Sequence, residues 1–241
     1  MKSVTPARGL MHKEDPVALV ASIPLFATLE PDARQLIARL IRVRRYAARQ
    51  TVVWEGEPGG ALFVTLSGYL KAVTAGAEGK EVLLNVMGPG EVIGELSVLD
   101  GQPRSASVIA LETSQLATIE REPLLDVMRA SPNLAICMVE VLAQRLRNLS
   151  KRCENISSMD IPSRLADVLV TLAEKHGEKS GRDVRIPVRL SQQDLGSMVG
   201  ATRESVNKQL RSWTHSGVLK QEAGRVIITD FDALRSMTAT C

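Results

Sequence analysis

The chain has 241 residues, enough for one large domain or two ordinary ones, and its 44% hydrophobic content can fill a core. With 30 basic and 27 acidic side chains the net charge is +3, too mild to imply a nucleic-acid partner without local clustering. No apolar run approaches a membrane span, no signal-peptide core is visible, and Cys137, Cys153 and Cys241 form no CxxC, so the default is a cytoplasmic protein without membrane partner, disulfide framework or metal site.

Residues 1–18 read as a polar leader. A short helix is predicted after Pro31, with Leu36, Ile37 and Leu40 on one face. From about 41 to 120 come short β-like runs: TVVW, ALFVTLSG, LKAVTA, VLLNV, SASVIAL and SQLATIE. The turn clusters EGEPGG, AGAEGK and GPGE separate them. That spacing predicts an antiparallel sandwich or barrel.

Within this region GELSVLDGQPRSAS (94–107) runs from a Gly-Glu pair through the turn Asp100-Gly101-Gln102-Pro103 into Arg104-Ser105. An arginine and a small hydroxyl folded against a glycine-led turn have the makings of an anion site. A buried guanidinium is costly unless an anion meets it, and arginine suits multidentate phosphate recognition. Clustered backbone N–H groups add a nest for negative charge. The competing reading pairs Arg104 with Glu95.

Near residue 124 a helical period takes over. Val139, Leu142, Leu146, Leu149, Cys153 and Ile156 alternate spacings of three and four, flanked by Arg145, Arg147, Lys151, Arg152 and Glu154. A narrow apolar stripe with charged flanks favours a parallel helix–helix dimer over packing within one chain. Asp160-Ile161-Pro162 breaks the helix. A second helix follows with Leu165, Val168, Leu169 and Leu172 on one face, and EKHGEKSGRD (174–183) reads as a polar, exposed loop.

The stretch LSQQDLGSMVGATRESVNKQLRSW (190–213) is the most specific. Ser191 and Asp194 make a capping box, Leu195 and Val199 face inward, and Gly200-Ala201 supplies the turn. Thr202 caps the next helix, whose buried face is Val206, Leu210 and Trp213. This is a helix-turn-helix. Arg203, Glu204 and Lys208 lie outward near the start of its second helix, where base edges are read. GVLKQEAGRVIITD (217–230) adds a hairpin and completes a winged helix, with Lys220 and Arg225 available to phosphates.

Gly94-Glu95-Leu96 with Arg104-Ser105-Ala106, followed by Ala201-Thr202-Arg203-Glu204-Ser205-Val206-Asn207-Lys208, resembles the family of the cyclic AMP receptor protein and the fumarate–nitrate regulators, closest to its cyclic-AMP-binding branch. The resemblance covers about residues 20–235. It implies an α+β fold: an N-terminal cyclic-nucleotide-binding β-barrel (a jelly roll) over 19–132, a dimerisation helix over 133–159, and a C-terminal winged helix-turn-helix over 160–241.

It also implies an allosteric, homodimeric transcription regulator and no enzyme. In the family a strand–turn–strand cassette holds the nucleotide. Arg104 would then pair with the cyclic phosphate, Ser105 would donate to it, and Glu95 would accept from the ribose hydroxyl. Backbone amides near Gly94, Leu96, Ser97 and Ala106 would complete the cradle. Leu149 and Ser150 stand where the cyclic AMP receptor protein reads adenine across the dimer, with Asn148 and Arg145 beside them. The implied effector is cyclic AMP ahead of cyclic GMP. The alternative keeps fold and DNA binding and drops the nucleotide.

The implied partners are a palindromic operator with half-sites similar to TGTGA, a second copy, and RNA polymerase through 174–183. The operator would be held by Ser191, Gln192, Gln193 and Thr202 and read by Arg203, Glu204 and Lys208. Lys208 departs from the family's arginine and loses the planar fork. The iron–sulfur and haem branches fit poorly: no cysteine precedes Cys137, and His12, His176 and His215 all lie outside the barrel.

Overall fold

The computed structural model describes residues 15–76 and 81–239. Residues 1–14 with His12, the last four residues of AGAEGK, and Cys241 lie outside the described residues. Inside the segment expected as leader, helix α1 (Pro16–Ser22) already begins, because Asp15 accepts from the Val17 N–H and Pro16 presets the first turn. Helix α2 (Pro31–Leu40) follows as expected, but its buried face is Ala33, Ile37 and Ala38, while Leu36 is 43% exposed.

Among the described residues eight strands build the barrel: β1 (Arg42–Tyr46), β2 (Thr51–Val53), β3 (Ala61–Ser67), β4 (Leu70–Ala75), β5 (Glu81–Met87), β6 (Val92–Ile93), β7 (Ser107–Ala110) and β8 (Ser114–Glu120). They form two antiparallel sheets, ordered β1-β8-β3-β6 and β2-β7-β4-β5. Phe63, Leu70, Met87, Val108 and Leu116 fill the space between them. The other face of the first sheet carries Leu62, Val64, Ala117 and Ile119 against the N-terminal helices. Burial on both faces is why β3 reads as a nearly unbroken apolar run.

Helix α3 (Glu95–Asp100) sits between β6 and β7, so the 94–107 segment is helix, turn and strand where two strands were expected. Glycines in the left-handed region bound it, Gly94 at φ 83° and Gly101 at φ 72°. Then come α4 (Arg121–Ala130) and the 27-residue α5 (Pro132–Ser158), about 40 Å long at helical rise. Apolar packing anchors the start of α5 through Leu134 and Met138, and farther along Asn155 is buried and donates to Asp167.

The C-terminal unit contains α6 (Ile161–His176), β9 (Glu178–Ser180), β10 (Asp183–Arg185), α7 (Gln192–Val199), α8 (Arg203–His215), β11 (Leu219–Glu222), β12 (Arg225–Ile228) and α9 (Phe231–Ser236). Its sheet is ordered β11-β12-β10-β9. Residues 174–183, expected as a loop, are the last turn of α6 and a hairpin. Glu178, Lys179 and Ser180 are all exposed, so they carry no alternation to betray a strand.

This unit docks on the barrel. β5 is an outer strand, and α7 covers its free edge: the Leu83 N–H donates to Ser197 Oγ at 2.6 Å. Arg152 donates to the carbonyls of Leu84 (2.9 Å), Leu83 (3.3 Å) and Ser197 (3.4 Å). Lys71 on β4 ion-pairs with Asp194 at 3.2 Å. Val73, Leu83 and Val86 of the barrel belong to the same apolar cluster as Leu165, Leu195 and Trp213. Capping an open strand edge satisfies its orphan backbone groups and removes a pairing hazard.

Candidate functional site

A cavity of about 610 Å³ opens between the barrel, α5 and the docked C-terminal unit. Gly94, Glu95, Leu96, Ser97, Arg104, Ser105 and Ala106 line its barrel end, and Arg145, Asn148 and Leu149 line it from α5. Position 94 must be glycine: besides its positive φ, a Cβ there would lie 2.1 Å from Arg104 Nη1. The guanidinium therefore packs directly on the turn.

Arg104 is only 5% exposed. It donates to the carbonyls of Gly94 (3.1 Å) and Ala61 (2.6 Å) and lies over the Phe63 ring at 5.6 Å. Among the described residues no carboxylate ion-pairs with it. Burial lowers its pKa, opposed by the negative charges of Glu95 and Glu57. Glu95 is 1% exposed and pairs with Arg145, whose Nη1 donates to Oε1; Arg145 also donates to the Val92 carbonyl. The Arg104–Glu95 pair is thus not formed, and Arg145 holds the carboxylate instead. Glu95 Oε2 is buried without a partner among the described residues.

Ser97 donates to the Pro103 carbonyl at 3.4 Å, bracing the turn that carries Arg104. Ser150 is exposed and does not line the cavity of its own chain, whereas Asn148 and Leu149 do. At 100° per residue one step along a helix is enough to turn a side chain off a shared face. Asn85 on β5, Arg152 and Asn155 also line the space and escape sequence reasoning. Asn85 left a trace, as the single polar residue inside VLLNV.

In the C-terminal unit the capping box forms: the Asp194 N–H donates to Ser191 Oγ, and the Ser191 N–H donates to Asp194 Oδ2. Helix α7 ends at Gly200, and Thr202 Oγ1 caps α8 by accepting from the Ser205 N–H. Val206, Leu210 and Trp213 are buried, which turns Arg203, Glu204 and Lys208 outward. Ser191 and Gln193 are exposed, while Gln192 is half-buried and donates to Asn207 Oδ1. Lys220 pairs with Asp183 at 2.9 Å, and Arg225 donates to the Pro187 carbonyl, so neither wing cation is free. Among the described residues no cluster of metal-ligating side chains occurs, and no helix is long and apolar enough to cross a membrane.

A lined barrel cavity, a long connecting helix and a winged helix-turn-helix are together the parts of a DNA-binding transcription regulator. Residues 43–131 match the cyclic nucleotide-binding domain family and residues 163–237 the Crp-like helix-turn-helix domain family. The chain is 32% identical over 216 residues to a CRP-like cAMP-activated global transcriptional regulator of Mycobacterium tuberculosis, covering 90% of this chain and 96% of that one. It is 30% identical to the cyclic AMP receptor protein of Thermus thermophilus, over 86% and 93% of the two chains. Among solved structures, FixK2 from Bradyrhizobium japonicum superposes with a TM-score of 0.73 at 18% identity, over 83% and 98% of the chains. The chain belongs to the CRP/FNR family.

Proposed function

We propose that the protein is a homodimeric regulator whose operator affinity is set by a cyclic nucleotide, cyclic AMP ahead of cyclic GMP. The observation that carries this reading is the buried Arg104 guanidinium, bonded among the described residues only to backbone carbonyls at the wall of a cavity. Such a group is matched by an incoming phosphate. Glu95 Oε2, in the same wall and without a partner among the described residues, suits a ribose hydroxyl. The cAMP-activated relatives support the choice of nucleotide.

The effector would touch the barrel through Gly94, Glu95, Leu96, Ser97, Arg104, Ser105 and Ala106, and α5 through Arg145, Asn148 and Leu149. Ser150 would reach the base from the partner subunit. Because Arg145 bridges α5 to Glu95, filling the cavity changes what holds that helix. A ligand shifts the protein only by its difference in affinity between the two arrangements. The exposed stripe Val139, Leu146, Leu149 and Ile156 supports pairing of two α5 helices. RNA polymerase is the further partner that membership of the family suggests, with the β9–β10 hairpin as its candidate contact.

Calorimetric titration with cyclic AMP and cyclic GMP, with and without palindromic DNA, tests the reading. Linkage requires nucleotide and DNA to tighten one another; absence of heat with both nucleotides sinks it. In the reading helix, Arg203→Ala is expected to relax base choice at one position of each half-site and to cost about 1–3 kcal/mol. Operator variants scanned by fluorescence anisotropy check this. A uniform loss on every sequence would assign Arg203 to phosphate.

A further inference from the structure

The junction between the two units holds a histidine, His176, that has no part in DNA reading and borders the cavity beside Glu174 and Lys175, away from the Arg104 wall. His176 ends α6, and its ring stands edge-on to Tyr69 of the barrel, centroids 5.4 Å apart at 80°. It presses on Gly88, where a Cβ would come within 2.8 Å of both the His176 and Tyr69 rings. Its Nε2 is buried without a partner among the described residues. A neutral imidazole tolerates that position as an unused acceptor, but an imidazolium carries N–H on both nitrogens and would bury an unmet donor.

The charged groups around the pair are Glu174 and Lys175 on α6, Glu178 on β9, Glu112 between β7 and β8, and Glu91 between β5 and β6. Lys175 lies 3.9 Å from Glu91. Burial, together with Glu178, Glu112 and Glu91, pushes the Tyr69 phenol up to about 12, so Tyr69 stays neutral and offers no countercharge.

We propose that His176 is an acid-released latch: protonation expels its ring from the Tyr69–Gly88 pocket and frees the C-terminal unit from the β4–β5 edge. The inference concerns docking alone and stands whether or not the cavity takes a nucleotide. Burial, with Lys175 adding to it, lowers the imidazole from 6.5 to about 4. The docked state therefore binds fewer protons than the released one. The contribution of His176 to docking is complete above about pH 6.5 and is lost as pH falls from there toward 4. By that linkage the released-to-docked ratio rises about tenfold between pH 7.5 and 5.5. Glu91 acts in the opposite sense, because burial raises its carboxyl and its titration favours docking as pH falls.

The test is hydrogen exchange in the full-length protein at the Leu83 amide, which donates to Ser197 across the junction. With intrinsic exchange corrected, its protection is expected to fall about tenfold from pH 7.5 to 5.5, and at least as much in Glu91→Gln. His176→Phe keeps a ring that cannot be charged and is expected to abolish the step. Gly88→Ala, which crowds the ring out, is expected to give low protection at both pH values. A wild type without the step, or a His176→Phe variant that retains it, overturns the latch. Equal loss at Phe63 in the β3–β6 ladder also overturns it, since that would be global unfolding.

Discussion

Arg104→Ala is expected to weaken cyclic nucleotide binding at least about 100-fold. A hydrogen bond to a charged group contributes about 1.5–3 kcal/mol, and a phosphate facing a guanidinium can take two. Their loss amounts to about 3 kcal/mol or more, and each 1.4 kcal/mol is tenfold. The substitution also strips the Gly94 and Ala61 carbonyls of their donor. Opening the space lets water reach them, so a modest drop in thermal stability is expected without loss of the barrel. Arg104→Lys separates charge from shape: it keeps the cation, loses the fork, and is expected to fall between wild type and alanine. Calorimetry and thermal melting, run on all three proteins, check the order. Wild-type affinity in the alanine variant would show that the phosphate is held elsewhere.

The same residue shows how far the sequence carries. The cavity wall was legible because glycine, glutamate and arginine crowd into one short segment. Which carboxylate partner each would take was not, since Arg145 lies 50 positions from Glu95 and only folding brings them together. Strand β1 escaped notice for a different reason: RVRRY has almost no apolar alternation, because an edge strand paired only with β8 can be charged and exposed. Helix α3 hid inside a strand-like context, its start set by the positive φ of Gly94.

The docked junction was beyond reach. Lys71, Leu83, Ser197 and His176 each read as ordinary surface or strand positions, and their meaning arises from contacts more than 100 residues apart, as between Leu83 and Ser197. The helix-turn-helix was legible almost residue by residue, because caps, turn and buried face are all local. The α5 stripe was legible too, and within one chain it remains exposed.

That exposure sets the second large effect. Leu146 is 65% and Leu149 57% exposed, on a helix whose apolar anchor lies near its start and whose later turns are held by polar contacts of Arg145, Arg152 and Asn155. Burying a leucine contributes about 1.5–3 kcal/mol, and a twofold axis counts each residue twice. Leu146→Glu replaces that gain with two facing carboxylates. It is expected to raise the dimer dissociation constant at least about 100-fold, a loss of about 3 kcal/mol. Operator binding should fall in step. Two linked reading helices gain from the effective concentration of the second half-site, an advantage of about 10²–10⁴ that an isolated subunit forfeits. Arg147→Ala is the control, since Arg147 bonds to Gln144 on its own helix and lies off the stripe. Sedimentation velocity and operator titration read both effects, and Cys153 gives an independent view. It is exposed and on the stripe, so a short bis-maleimide is expected to join two copies of the wild type and not of Leu146→Glu. If Leu146→Glu stays dimeric at wild-type affinity, the α5 stripe is not where two copies meet, and the route from cavity to operator must run through the docked edge of β5 instead.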